Sequence, residues 1–238
     1  MENKQKYIIS LSNELNTMIW ERGEMTLQAI RLVFLYLALI NPLTPEITEV
    51  TIPLYKYASE LHVELNECAL EKSCQLLREY QFKFGGTIDG IPTSSCKFFA
   101  ICQLAHRKSD GMFVLELKCS DEIKRHIFDL SKNYTHFSAS NVFSLRDLRA
   151  IRLYMLLAQY RVIKRRTIPL TELKQYLGID VDAYTKYKFF SHDVLKVCQN
   201  KLQKNTDIVF SYRAIGSPAQ SIVFEISENE SQYMWQVF

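Results

Sequence analysis

The sequence predicts an α+β protein made of two tandem winged-helix domains, each a helix-turn-helix with a β-hairpin beside it. Three observations predict it. Residues 143–157 carry apolar side chains at helical spacing: Leu145, Leu148, Ile151, Met155 and Leu156. A short helical segment, a long one and two β-rich runs follow, giving the order helix, short helix, long helix, hairpin. The first half of the chain repeats that order, although residue identity between the halves is slight.

In the first half, Ser10 or Ser12 can cap a helix whose apolar positions are Leu15, Met18 and Ile19, with Gly23 as its breaker. Thr26 begins a second helix, which runs to Ile40 and stops at Asn41-Pro42. Val50 to Leu54 is extended, Tyr55 to His62 is a short helix, and Asn66 to Phe84 is a longer one. The only glycine-rich stretch, residues 85–92, lacks the Lys-Ser/Thr of a phosphate-binding loop and reads as a turn between strands. Lys97 to Leu104 and Met112 to Lys118 form a hairpin whose tip holds His106-Arg107-Lys108 and an Asp-Gly turn. Ser120, followed by Asp121 and Glu122, starts a further helix.

In the second half, Thr171 can cap the short helix and Gly178 can end it. The long helix covers Ala183 to Asn205. Residues 208–212 and 221–226 are the hairpin strands, joined by a turn at 214–220. The division falls near residues 133–141, giving units of 1–137 and 138–238. The tail ends Tyr233-Met234-Trp235-Gln236-Val237-Phe238, an aromatic segment suited to docking on the chain's own surface or on a partner.

Charge is uneven. Residues 1–138 hold 15 Lys and Arg against 17 Asp and Glu; residues 139–238 hold 14 against 9, a basic second half that suits a polyanion. The six cysteines show no CxxC spacing and no zinc-finger histidines, which suits a reduced cytoplasmic protein. The most apolar run, Leu32 to Ile40, is far short of the roughly 20 residues that span a bilayer, so no membrane partner is expected. Histidines 62, 106, 126, 136 and 192 are scattered, and no triad, metal cluster or cofactor loop is visible; Asp180 and Asp182 read as loop residues. A binding protein without metal or cofactor is therefore expected, not an enzyme.

Projected at 100° per residue, the long helix places Tyr187, Phe190, Val194, Val197, Cys198 and Leu202 on a core face. His192, Lys196, Gln199, Asn200 and Gln203 fall opposite, a set of donors and acceptors suited to base edges and phosphates of double-stranded DNA. Lys186, Lys188, Lys201 and Lys204 flank them, and Arg213 lies on the hairpin. Lys164-Arg165-Arg166 is either a phosphate clamp or a solvated loop. Arg149 and Arg152 bind phosphate or pair with acids such as Asp147, with a structural role favoured for Arg152. In the first half the matching helix offers Lys72, Gln75 and Arg78, and the hairpin tip offers Arg107 and Lys108 to a minor groove or backbone.

These residues resemble the initiator proteins of iteron-containing plasmids, the Rep_3 family of RepE-, Pi- and RepA-like proteins. The likeness lies in three segments: Ser120 through Tyr134-Thr135-His136-Phe137; Leu148 to Leu157; and Tyr184 to Phe190, continuing through Val194-Leu195-Lys196-Val197-Cys198 to residues 208–212. It covers the last half of the chain well and the first half in outline. The resemblance implies two winged-helix domains clamping repeated DNA sites at a plasmid origin. It also implies a monomer that opens the origin, a homodimer that represses its own gene through pairing in the first domain, and host initiator and helicase as partners. Where many relatives carry consecutive basic residues after the Phe, this chain has Ser191-His192-Asp193, so only His192 is carried over. A winged-helix transcription regulator without a replication role is the alternative, since it would use the same surfaces.

Overall fold

The computed structural model describes residues 7–19, 25–61, 66–88, 91–107, 111–128 and 130–230. The expectations placed on Gly23, His62, Lys108 and the aromatic tail at 233–238 lie outside the described residues.

The first described element is a strand. β1 (Ile8–Ser12) alternates Ile9 and Leu11 inward with Ile8 outward, a period of two, and ends at the expected cap Ser12. Ser12 then caps the single turn α1 (Asn13–Asn16), its hydroxyl accepting from the Leu15 amide. Thr26 caps α2 (Leu27–Leu39) through the Ala29 amide at 3.0 Å. Ala29 to Ala38 are all buried, so α2 is the central core helix of the first unit, apolar nearly all round. β2 (Glu49–Pro53), α3 (Leu54–Leu61) and α4 (Glu67–Glu79) follow.

α4 ends at Glu79 instead of reaching Phe84. Phe82 and Phe84 are buried at alternate positions of β3 (Gln81–Ile88), which holds Gly85 and Gly86 and pairs antiparallel with β4 (Ile91–Lys97). The expected wing is β5 (Phe99–His106) and β6 (Phe113–Cys119). Ser120 accepts from the Ile123 amide ahead of α5 (Lys124–Ile127), one turn only.

Residues 133–141, where the division was expected, are not an open linker. β7 (Tyr134–Ser138) pairs antiparallel with β1, and α6 (Ala139–Ser144) follows at once. Asp147 caps α7 (Leu148–Ala158) through the Ala150 amide. Then come β8 (Arg165–Pro169) and α8 (Leu170–Tyr176), capped by Pro169 and not by Thr171. The long helix, α9, is built of an α turn (Tyr187–Phe190), a π-helical turn (Ser191–Lys196) and an α segment (Val197–Asn205). The second wing is β9 (Ile208–Ile215) and β10 (Ser221–Glu228).

The two units share a topology that residue identity hides. In each, the strand before the short helix pairs antiparallel with the last strand of the wing: the sheet orders are β2-β6-β5 and β8-β10-β9. The first unit adds the β3–β4 hairpin between its long helix and its wing.

α7 joins the two. Its residues Ala150 to Ala158 are all buried. The Asn16 amide donates to the Met155 carbonyl at 2.9 Å, and Phe34, Phe137 and Tyr154 stack edge to face. Arg31, buried in α2, donates to the Phe143 carbonyl at 3.2 Å. The Tyr154 hydroxyl accepts from Asn141 at 2.8 Å and donates to Asp207 at 3.0 Å. Burial, then Asp207, holds that phenol well above its ordinary pKa, so it stays a donor.

Tyr154→Phe should therefore cost about 1–3 kcal/mol in urea denaturation, because Asn141 and Asp207 lose their shared partner. Burial pushes the Cys198 thiol up to about 12 and the Cys96 thiol up to about 11. The unfolded chain releases these protons near pH 9 and the folded chain holds them. Stability should be intact below pH 9 and fall as pH rises toward 11–12, and Cys198→Ala should flatten that fall in alkaline melts.

Candidate nucleic-acid interface

The turn between α8 and α9 is held from inside. Gly178, at φ +64°, ends α8. The buried Lys174 then donates its ammonium to the Val181 carbonyl at 2.8 Å and the Ala183 carbonyl at 2.7 Å. A cation on two carbonyls substitutes for water that cannot enter. Tyr184 sits at φ +58°, a rare left-handed conformation for a bulky residue, with its ring edge-on to Phe190 at 5.9 Å. Lys186, extended, leads into α9.

The π turn sets which side of α9 faces out. Each i→i+5 closure takes up one residue more than an α turn, so later positions are turned back around the helix. The consequence is visible in burial. Leu195, which a uniform 100° projection leaves off the core face, is fully buried. Val197, which that projection puts inside, is 39% exposed. The core face is Phe190, Val194, Leu195, Cys198 and Leu202. Tyr212 of β9 holds the π turn: its hydroxyl donates to the Ser191 carbonyl at 3.2 Å and lies 3.1 Å from the Ser191 hydroxyl.

Two more sides of α9 are tied down. Gln199 donates its amide to the Phe210 carbonyl of β9 at 2.6 Å and accepts from Lys196 at 2.8 Å. Gln199 is therefore a strut between helix and wing, which corrects its expected place among the outward-facing groups. Lys201 pairs with Asp147 at the head of α7, 2.7 Å away. What remains exposed is Lys186, Lys188, Phe189, His192, Asp193, Lys196, Val197, Asn200, Gln203 and Lys204. Asp193 does not stand alone, since the His192 Nδ1 lies 2.7 Å from its carboxylate.

The wing lies alongside. Arg213 is exposed on β9, opposite Val223. Ser191 lies against Tyr212, and the Gln203 carbonyl accepts from Asn229 beyond β10. The first turns of α9 thus sit toward the wing tip and its last turns toward the opposite end of the sheet.

The basic cluster at 164–166 belongs to that opposite end. Arg165 pairs with Glu225, four residues along β10 from the wing-side Ser221, roughly 13 Å at strand rise. Its guanidinium lies 3.5 Å from the Glu225 carboxylate. Lys164 is exposed there at φ +62°. Arg166 is buried: it donates to the Leu156 carbonyl at 2.5 Å and Gln159 at 3.2 Å, and its guanidinium lies 4.5 Å from the Tyr160 ring centre. It cannot clamp a phosphate without leaving the core. Arg149 is half-buried in the first turn of α7, and Arg152 is wholly buried, donating to the Tyr176 carbonyl at 3.0 Å.

In the first unit, Lys72, Gln75 and Arg78 are exposed on α4. Lys72 and Gln75 line an open groove of about 550 Å³ with Tyr80, Gln81 and Lys83. Arg107 lies at the base of the first wing tip, its guanidinium on the Met112 sulfur at 3.7 Å. Sequence reasoning missed Lys174, Ser191 and Tyr212, because their roles depend on carbonyls and strands distant in the chain.

Two family models cover nearly the whole chain. Residues 8–158 match the first winged-helix domain (WH1) of the initiator replication proteins, and residues 169–226 match the second (WH2). The chain belongs to the initiator replication protein family. It carries both winged-helix domains of such an initiator in one polypeptide, with α7 at the end of the first match. No curated protein sequence matches it. Among solved structures, the fold is similar to the Pi initiator protein in complex with iteron DNA: TM-score 0.74 at 22% identity, over 96% of this chain and 100% of that one. A weaker likeness is to domains 2 and 3 of RctB, with TM-score 0.49 at 14% identity, over 94% of this chain and 92% of that one.

Gln199→Ala and Arg166→Ala should each lower stability by about 1 kcal/mol or more in denaturant titrations, since each leaves a backbone carbonyl without its donor. Lys188→Ala and Lys196→Ala should stay within about 0.5 kcal/mol of the parent.

Proposed function

We propose that this initiator binds repeated double-stranded sites at a plasmid origin, laying α9 in a major groove with the second wing beside it. The carrying observation is the exposed set Lys188, His192, Lys196 and Asn200 along α9, on a helix whose other sides are held by Phe190, Gln199 and Lys201. These side chains supply cations for phosphates and an amide for base edges. Lys186 and Arg213 extend the set toward the wing. In the first unit, Lys72, Gln75 and Arg78 of α4, with Arg107 of the wing, form the second contact.

The functional division is at residues 137 and 138, supported by α7 packing on α9 and β9 as the first helix of the second unit. The first unit also pairs protomers. As a homodimer the protein represses its own gene, and as a monomer it opens the origin with host initiator and helicase; these roles are what the resemblance to iteron-plasmid initiators implies. The protein acts by binding and not as an enzyme, in the cytoplasm beside the plasmid. No helix among the described residues is long and apolar enough to cross a membrane.

Footprinting on DNA flanking the gene should reveal tandem protected repeats of about 20 bp, two helical turns for two reading helices. Lys196→Ala should weaken binding and lower the slope of log affinity against log salt by about one. Absence of any protected repeat would overturn the reading.

A further inference from the structure

α9 carries two apolar side chains where neither packing nor helix propensity calls for them. Phe189 is 53% exposed and Val197 is 39% exposed. They stand eight residues apart, with Asp193 midway, on the outward side that also carries His192, Lys196 and Asn200. An aromatic and a β-branched residue are mediocre helix formers, so a solvated helix surface gains nothing from them. A local rule broken without a packing gain marks a functional position. Val197 is outward only because the π turn from Ser191 to Lys196 rolls Leu195 into the core in its place.

The major groove has one feature that polar side chains cannot read, the 5-methyl group of thymine. We propose that Phe189 and Val197 are a thymine-reading pair, each seated on a thymine methyl while the polar side chains between and beside them take base edges and phosphates. This rests on the groove-binding reading given above. Eight residues span roughly 12 Å of helix. Base pairs rise about 3.4 Å each. The two thymines should therefore lie three or four base steps apart, on one strand or across the two.

Deoxyuridine lacks only that methyl, so it isolates the contact. The duplex protected by the protein on its own flanking DNA is remade with each thymine replaced singly by deoxyuridine, and binding is measured for the parent, Val197→Ala and Phe189→Ala. Two positions three or four steps apart should each weaken the parent about fourfold, the worth of one buried methyl. Val197→Ala should be insensitive to one of them and Phe189→Ala to the other. Val197→Thr, of the same shape but with a hydroxyl, serves as a second variant should Val197→Ala alter the helix. The inference is overturned if no deoxyuridine position weakens the parent, or if both variants stay as sensitive as the parent. Failure of the groove-binding reading is distinguishable, since the parent would then show no sequence preference on unsubstituted DNA.

Discussion

How α9 is rolled about its own axis decides which side chains meet solvent, and that roll is fixed from three sides. Tyr212 holds the Ser191 carbonyl, Gln199 holds the Phe210 carbonyl, and Lys201 reaches Asp147. A π turn closes i→i+5 bonds in place of the regular ladder, and a partner outside the helix that holds one of its carbonyls fixes where the turn sits. Tyr212 is such a partner, and it belongs to the wing. The wing is therefore more than a second surface for a ligand. It locks the irregular turn that turns Lys196 and Asn200 outward as neighbours of Val197. Lys174 does the same at the other end, closing the turn that aims the helix.

A protein built of two similar units also needs the units held to each other. α7 supplies that second constraint. It is buried from Ala150 to Ala158, and it touches the first unit through Asn16 and Phe137 and the second through Asp207 and Arg166. Its polar contacts lie in a low-dielectric setting, where a hydrogen bond fixes geometry more firmly than it would in water. Arg31 on the Phe143 carbonyl and Ser144 on the Asn205 carbonyl brace the same joint from α2 and α6. α7 thus packs on both units, and the first family match runs to residue 158 while α7 also packs on α9.

Much of this was legible in the residues. The order of elements, the caps at Ser12 and Thr26, and both wings follow from periodicity and turn chemistry. The misses share a cause. At residues 81–84 the apolar spacing suits either period over one turn, and strand pairing with β4 chose the strand. In α9 the projection assumed one uniform helix, whereas the π turn depends on Tyr212, 21 residues away. Arg166 looked like a surface cation because it stands beside Lys164 and Arg165. Strand alternation turns it inward while Arg165 and Thr167 face out. No local signal separates a buried arginine from an exposed one; the carbonyl that receives it lies in another element.

That burial changes what the charge of the second half means. Of the 14 Lys and Arg in residues 139–238, Arg152, Arg166 and Lys174 are buried on backbone carbonyls. Arg161 and Lys201 pair with Asp207 and Asp147. The cations along the outward side of α9 are few, and an acid, Asp193, sits among them. Phosphate attraction scales with the number of cations that can release counterions. A surface with few such cations gains less from sequence-independent attraction and so depends more on contacts that distinguish bases. On the proposed groove-binding reading, those contacts fall to His192, Asn200 and the two exposed apolar side chains, on a helix whose roll the wing fixes. Asp193, beside His192, disfavours phosphate at that point and leaves base edges as the better partner. On that reading the sparse charge and the rigid, partly apolar face belong together, because weak attraction to DNA in general leaves discrimination among sites to the face itself.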